Sequence, residues 1–445
     1  MRVITYGTFD LLHEGHRRLL DRAKALGDHL IVGVTSEQYD DARGKLNVRQ
    51  SLPERIRNVE ATGLVDEIIV EEYEGQKITD IQRHRVDIFA IGSDWAGRFD
   101  YLNDYCRVVY LERTKGISST ELRAATTGTL QIGVVGAGRI ARRFVREALF
   151  VSGVHVEGVH SRTLKGAQGF AQELELDAVY PTYPELLAKV GAVYIATPHQ
   201  FHYEQTVAAI DAGVHVLCEK PLALTQAEVV DLYARANAKG VVLMEAIKTA
   251  YLPGFQRMVG IARSGSIGDI RSVDATFTKL VAGGRELAGP DGGSISELAS
   301  YPLLAIIKLL GLDYTEVTTR SLRSASSPVE IFSRIDIDYP HAIASGRTGL
   351  GVKAEGELVI AGTDGYVYVP APWWLTENFE VRYEDPMRTR KYFYSMEGSG
   401  LRYEVAAFAS LINSGQPDSY LLRQSESIAI AGIIEKARAD SIAFG

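Results

Sequence analysis

What most constrains this chain is a seam between Arg113 and Ala141, where two phosphate-binding signals follow one another: Arg113-Thr-Lys-Gly-Ile-Ser-Ser-Thr120, then Gly136-Ala-Gly138-Arg-Ile-Ala141. The first puts Gly116 and a run of hydroxyls ahead of Glu121-Leu-Arg123, a predicted helix start, where unpaired backbone N–H groups attract anions. The second follows the apolar run Leu130-Gln-Ile-Gly-Val-Val135 and opens a helix, which is the setting a dinucleotide-binding turn requires. One chain therefore carries two nucleotide sites. Its 445 residues are too many for one ordinary core and suit two or three domains.

The hydrophobic share of 46% and charged share of 23% are those of a globular protein, and the formal charge of -8 argues against holding nucleic acid through its phosphates. Cys106 and Cys218 stand alone, without CxxC spacing, so neither a disulfide framework nor a cysteine metal site is expected. The strand-like start Met1-Arg-Val-Ile-Thr-Tyr6 and the lack of any membrane-length apolar stretch predict a cytoplasmic protein with no membrane insertion.

Val3-Ile-Thr-Tyr6 reads as a strand broken by the loop Gly7-Thr-Phe-Asp10, and Leu12, Leu19, Leu20, Ala23 and Leu26 recur at helical spacing before Gly27. His13 and His16, three apart, would share the first turn, with Gly15 between them leaving room for a phosphate. Two imidazoles there could stabilise charge developing at a nucleotide's α-phosphate; the plainer alternative is one solvated histidine and one capping the helix. Tyr6-Gly-Thr-Phe-Asp-Leu-Leu-His-Glu-Gly-His16, Gly92-Ser-Asp-Trp95 and Arg113 to Thr120 together resemble the glycerol-3-phosphate cytidylyltransferase family of HxGH nucleotidyltransferases, over residues 1 to 125. The resemblance implies that His13 and His16 are catalytic and that Thr8, Phe9, Lys45, Arg113, Ser118, Ser119 and Thr120 bind the nucleotide. It implies Arg55, Asp94 and Trp95 on the polyol phosphate side, with CTP and a polyol phosphate as substrates. Magnesium is the implied metal, held mainly by CTP phosphates and water, so its protein ligands stay unknown. Arg43 rivals Lys45, because Asp40-Asp-Ala-Arg-Gly-Lys-Leu-Asn47 has fewer lysines than the family pattern.

After the short link Glu121 to Thr129, Gly136 supplies the tight turn of the second site and Gly138 the close approach of a pyrophosphate, with Arg139 and Ile140 opening the helix. The next predicted strand, Val154 to Val159, ends in His160-Ser161-Arg162-Thr163 where an NAD site usually has an acid, so Ser161 and Arg162 predict NADP(H). The alternative is that Arg162 is a solvated loop residue. Thr197-Pro198 and Glu219-Lys220-Pro221 behind the glycine turn resemble the Gfo/Idh/MocA oxidoreductases, and Leu243 to Ile247 and Tyr301-Pro302 resemble their dihydrodiol dehydrogenase-like branch, from about residue 130 onward. This likeness implies cofactor contacts from Thr197, Pro198, Glu219 and Lys220, and a catalytic Lys220. The family's Asp and His, four apart, become Glu297 and Tyr301. Tyr301 is then the acid/base candidate, helped if Lys220 lowers its pKa, or else a packed aromatic; Glu297 orients substrate or merely belongs to a helix capped at Ser296.

From Ile270 on, strand-like runs at 272–277, 330–337, 357–361, 366–368, 380–383 and 390–394 predict a mostly antiparallel sheet, and 404–412 and 425–439 predict helices returning to the dinucleotide domain. Trp373-Trp374 is core or subunit interface, and relatives imply a homo-oligomer, a dimer. The expected class is α/β. A Rossmann-like nucleotidyltransferase domain (1–125) precedes a Rossmann domain (130–250) and an α+β domain with a large sheet (251–445). The expected protein is bifunctional, making a CDP-polyol such as CDP-glycerol and reducing a small carbonyl precursor with NADP(H) for a teichoic-acid-like or capsular polymer. The alternative keeps the transferase and makes the second half a regulatory or oligomerising module.

Overall fold

The computed structural model describes residues 1–42, 45–73, 75–112, 129–288, 291–323, 329–440 and 442–444. The chain divides into two compact units, Met1–Gly191 and Ala192–Gly445. This division falls inside the stretch read above as one Rossmann domain.

The first unit opens with five parallel strands, β1 (Arg2–Gly7), β2 (His29–Thr35), β3 (Glu67–Glu71), β4 (Ile88–Gly92) and β5 (Arg107–Leu111), in the order β3-β2-β1-β4-β5. β1 and β2 are almost continuously buried, as strands covered on both faces must be. Alternate side chains feed separate cores: Val3, Val32 and Ala90 pack with Leu20 and Ala23 of the helix Glu14–Lys24. Ile4, Ile31 and Phe89 pack with Ile81 and Leu102 on the opposite face. The strand order reverses between β1 and β4, and in open parallel sheets ligands settle beyond the carboxyl ends of such a pair. The loops there are the ones that lead to His13 and Trp95.

The same unit continues with β6 (Leu130–Val135), β7 (Val154–His160) and β8 (Ala178–Val179), paired in parallel. The helix Arg139–Ala148 follows β6, with Ala141, Phe144, Val145 and Ala148 buried.

In the second unit β9 (Ala192–Ile195), β10 (His215–Glu219) and β11 (Leu243–Ala246) are parallel neighbours. A nine-stranded sheet follows, built from β12 (Ile270–Thr278), β13 (Glu316–Arg323), β14 (Glu330–Asp338), β15 (Ile343–Gly349), β16 (Leu358–Gly362), β17 (Tyr366–Val369), β18 (Asn378–Arg382), β19 (Arg390–Phe393) and β20 (Ile442–Phe444). Its order is β19-β18-β17-β16-β12-β15-β14-β13-β20. Most pairs are antiparallel, as expected, with β12–β15 and β13–β20 parallel. β13 and β15 were not foreseen; Thr, Ser, Arg and Gly fill them, so their sequences carry little apolar alternation. The helix Gln424–Ala439 returns to Gln226–Lys239, where Glu435 accepts the Gln226 N–H at 2.8 Å. Trp373 is core: it is fully buried and its indole N–H donates to Thr276 O at 2.8 Å.

Candidate active sites

His13 is the N-cap of its helix and His16 lies in the first turn, their rings stacked with centroids 3.8 Å apart. His13 Nδ1 accepts the Gly15 N–H at 3.1 Å, and His16 Nδ1 faces the His13 N–H at 3.4 Å. Both Nδ1 atoms are thus acceptors, which in a neutral ring assigns the proton to Nε2. Burial, followed by the charges of His13 and Lys45, holds the His16 pKa well below its ordinary value. Gly15 serves the ring as well as any ligand, since a Cβ there would lie 3.0 Å from His13 Cε1.

Phe9 is buried, with its ring edge-on to His16 at 5.5 Å and a left-handed backbone at φ +51. Thr8 Oγ1 donates to Asp40 at 3.0 Å, and Thr35 donates to the same carboxylate at 2.8 Å. Arg55, expected on the polyol phosphate, is fully enclosed. Its Nη1 donates to Thr8 O and Thr35 O, both at 2.8 Å, and Nε donates to Gln50 O at 3.1 Å. Asp40 lies 3.4 Å from Nη1, and Nη2 is buried with no hydrogen-bond partner. Any phosphate contact by Arg55 therefore runs through Nη2 alone, and the side chain is first a pillar joining the loop after β1, the end of β2 and the residue before its own helix's N-cap. Arg55→Ala is expected to cost about 3–5 kcal/mol, because it strands the Asp40 carboxylate in the core; urea unfolding measures this, and a loss under about 1 kcal/mol contradicts it.

Lys45 donates to Leu149 O at 2.7 Å, and Trp95 lies in the loop after β4 with Arg98 over its ring. Arg113, Ser118, Ser119 and Thr120 lie outside the described residues, with the link up to residue 128, and nothing is described of the Asp94 side chain. Among the described residues no group of three or more His, Cys, Asp or Glu could hold a metal ion. Sequence reading passed over Asp10 and Asp40 as holders of the site. Asp10 accepts the Arg49 and Gln50 N–H groups at 3.1 and 2.9 Å, and its place in Gly7-Thr-Phe-Asp10 was the available signal.

In the second half of this unit Gly136 turns at φ +107, which a side chain would resist, and donates to His160 O at 2.8 Å. Gly138 is the N-cap of Arg139–Ala148 without a side-chain cap, so the first N–H groups, those of Arg139 and Ile140 included, remain for an anion. Ser161 Oγ donates to Thr163 O at 3.0 Å, and Arg162 is exposed at the end of β7. This donor set fits a pyrophosphate and an additional phosphate.

In the second unit, Lys220 Nζ donates to Glu297 O at 2.8 Å, and the Glu297 carboxylate lies 3.8 Å from His199 Nε2. Glu219 accepts from the Tyr194 hydroxyl at 2.5 Å, and burial raises its pKa. His202 stands between Thr197 O at 2.9 Å and Pro221 O at 2.8 Å, tying the loop Thr197-Pro198 to the one carrying Lys220. Tyr301 is the second residue of the helix Ser300–Leu310, edge-on to Phe277 at 4.9 Å, and Phe277 stacks on Trp374 at 3.8 Å. Its pKa is raised, by burial first and then by the charges of Glu219, Glu404 and Glu297, which is opposite to the lowering by Lys220 anticipated from sequence. Burial likewise pushes the Glu245 carboxyl up to about 7. His199 and Tyr194 had no sequence signal, and Glu245 stood in the Leu243–Ile247 run without an assigned role, since only folding brings them beside these loops.

Together these features define a nucleotidyl-transfer domain of the HxGH type followed by a dinucleotide-dependent oxidoreductase. Residues 4–125 match the cytidylyltransferase-like family, to which the chain belongs, and residues 130–247 match the model of the Gfo/Idh/MocA oxidoreductase family with an NAD-binding Rossmann fold. It is 50% identical over 122 residues to glycerol-3-phosphate cytidylyltransferase of Bacillus spizizenii, covering 27% of this chain and 94% of that protein. It is 28% identical over 321 residues to trans-1,2-dihydrobenzene-1,2-diol dehydrogenase of Sus scrofa, covering 69% and 96%. A 3-ketoreductase from Actinomadura kijaniata, solved with NADP and TDP-benzene, shares the fold at a TM-score of 0.64 and 24% identity, over 71% of this chain and 100% of that one. The chain is thus an enzyme that joins a nucleotidyltransferase to an NAD(P)-binding oxidoreductase. Among the described residues no helix is long and apolar enough to cross a membrane.

Proposed function

We propose that this enzyme transfers the cytidylyl group of CTP to a polyol phosphate, glycerol phosphate foremost, and reduces a small keto or aldehyde precursor of that polyol. A phosphate oxygen of the acceptor attacks the α-phosphorus, the bond to the bridging α–β oxygen breaks, and pyrophosphate leaves with that oxygen. The observation that carries this half is the stacked pair His13 and His16 at the start of one helix, with each Nδ1 turned to a backbone N–H; Nε2–H is then the atom each ring would offer to a phosphate oxygen. Lys45, Arg113, Ser118, Ser119 and Thr120 would share the triphosphate charge, with Asp94 and Trp95 on the polyol side. Mg²⁺ would enter on the CTP phosphates.

In the other half NADP(H) would supply hydride. Lys220 would polarise the carbonyl and Tyr301 would give its proton to the oxygen, so that carbonyl becomes alcohol; the raised pKa keeps that proton in place at neutral pH. The Gly136 turn would seat the pyrophosphate, and Ser161 and Arg162 would select the 2′-phosphate. The working division is then 1–125, 130–250 and 251–445, with CDP-polyol destined for a cell-envelope polymer. CTP, Mg²⁺ and a panel of polyol phosphates, followed by pyrophosphate release, test the first half; a pentitol phosphate working where glycerol phosphates fail would move the substrate. NADPH oxidation with small keto-phosphates tests the second, and silence across the panel favours a binding module. Arg162→Ala is expected to narrow the preference for NADP(H) over NAD(H) by about tenfold or more. Unchanged discrimination in paired KM measurements refutes that role.

A further inference from the structure

Two side chains assigned above to the transferase site come from different loops, yet they meet the same turn of the oxidoreductase sequence. Lys45 Nζ donates to Leu149 O at 2.7 Å, and Trp95 meets the Phe150 ring edge-on with centroids 5.6 Å apart. Beside them Leu46 forms an isolated parallel bridge with Val151: its N–H donates to Phe150 O at 2.9 Å and its carbonyl accepts the Ser152 N–H at 2.8 Å. Ser93 Oγ, two residues before Trp95, donates to Glu175 at 2.6 Å. Leu149 is the C-cap of the helix Arg139–Ala148, where the carbonyl end of the helix favours a cation. The Lys45 charge is also felt at His16.

This arrangement has a physical purpose. Lys45 to Ser51 lie in neither helix nor strand, and ordering such a stretch when CTP arrives would cost conformational entropy residue by residue. Three bonds to the turn at the helix end order it beforehand, and the Phe150 ring braces the Trp95 indole edge-on. We propose that the turn Leu149–Ser152 of the oxidoreductase portion is a positioning element of the cytidylyl-transfer site, setting Lys45 through Leu149 O and the Leu46 bridge and setting Trp95 through the Phe150 ring. The proposal rests on residues 1–125 being the cytidylyl-transfer site as read above.

The test uses full-length protein. Phe150→Ala is expected to raise KM for the polyol phosphate about 3- to 10-fold with kcat little changed, as loss of one aromatic edge contact implies. Phe150→Tyr keeps the ring and should restore the parental KM. Ser152→Pro removes the N–H that Leu46 O accepts and is expected to weaken CTP binding, read by titration calorimetry, about tenfold. NADP(H) binding, unchanged in each variant, excludes general misfolding; should Ser152→Pro lose it, the Phe150 pair decides. Parental KM and CTP affinity in all variants overturn the proposal and leave the transferase reading intact. A parent that binds no CTP removes both.

Discussion

His16→Ala is expected to lower kcat for cytidylyl transfer about 10²- to 10³-fold while CTP affinity changes far less, the loss seen when one aligned donor is taken from a developing oxyanion. The geometry explains why solvent cannot replace it. His16 is held by its helix, by the His13 ring at 3.8 Å and by Phe9 at 5.5 Å, so a truncated side chain leaves no equivalent donor in that direction. Pyrophosphate release at saturating CTP and acceptor measures it, and a fall of less than about tenfold would sink the role. The depressed pKa carries a stability consequence. Unfolded His16 titrates near about 6.5 and the folded residue well below it, so the unfolded chain gains protons first on acidification. His16 therefore lowers stability as pH falls through about 6.5 toward its folded value and has no such effect above that window. The denaturant midpoint of His16→Gln against parent, compared at neutral and mildly acid pH, should show the variant's relative gain only on the acid side.

Tyr301→Phe is expected to lower NADPH-dependent reductase turnover about 10²- to 10⁴-fold, the usual worth of a positioned proton donor, with NADP(H) affinity retained. The phenyl ring would still pack on Phe277, so the variant removes the hydroxyl and its proton and little else. Stopped-flow oxidation of bound NADPH under excess carbonyl substrate isolates the step from product release. Turnover close to parental would make Tyr301 a packing residue and shift attention to Lys220 and to His199, which faces Glu297. Because burial and three carboxylates hold the proton on Tyr301, the rate should not fall on its titration anywhere near neutral pH.

Local patterns made much of the architecture readable. The buried run Val3-Ile-Thr-Tyr6, the helical spacing of Leu19, Leu20 and Ala23, and glycines at Gly136 and Gly138 each imply their element through one strand, one helix or one turn. The HxGH pair was readable for the same reason, since two residues three apart on one helix turn must be neighbours. Arg55 was not. Its spacing marks it as a helix residue, but the carbonyls of Thr8 and Thr35, 47 and 20 positions away, turn its guanidinium inward together with that of nearby Gln50. The direction of the Tyr301 shift was hidden likewise. It depends on which charges surround the Tyr301 phenol: Glu219 and Glu404 come from well-separated parts of the second unit's sequence, and Lys220 donates to Glu297 O.

By itself, then, the sequence determined the presence and order of two nucleotide-handling sites, because each is seated on a strand, a turn and a helix start that lie within a few dozen residues. Only the tertiary structure decided which side chains remain available there and what holds them. Burial, pKa and the seating of Lys45 and Trp95 on Leu149–Phe150 arise from contacts between residues some 50 to 100 positions apart, and no local pattern of residue types encodes which distant backbone carbonyl a lysine will meet.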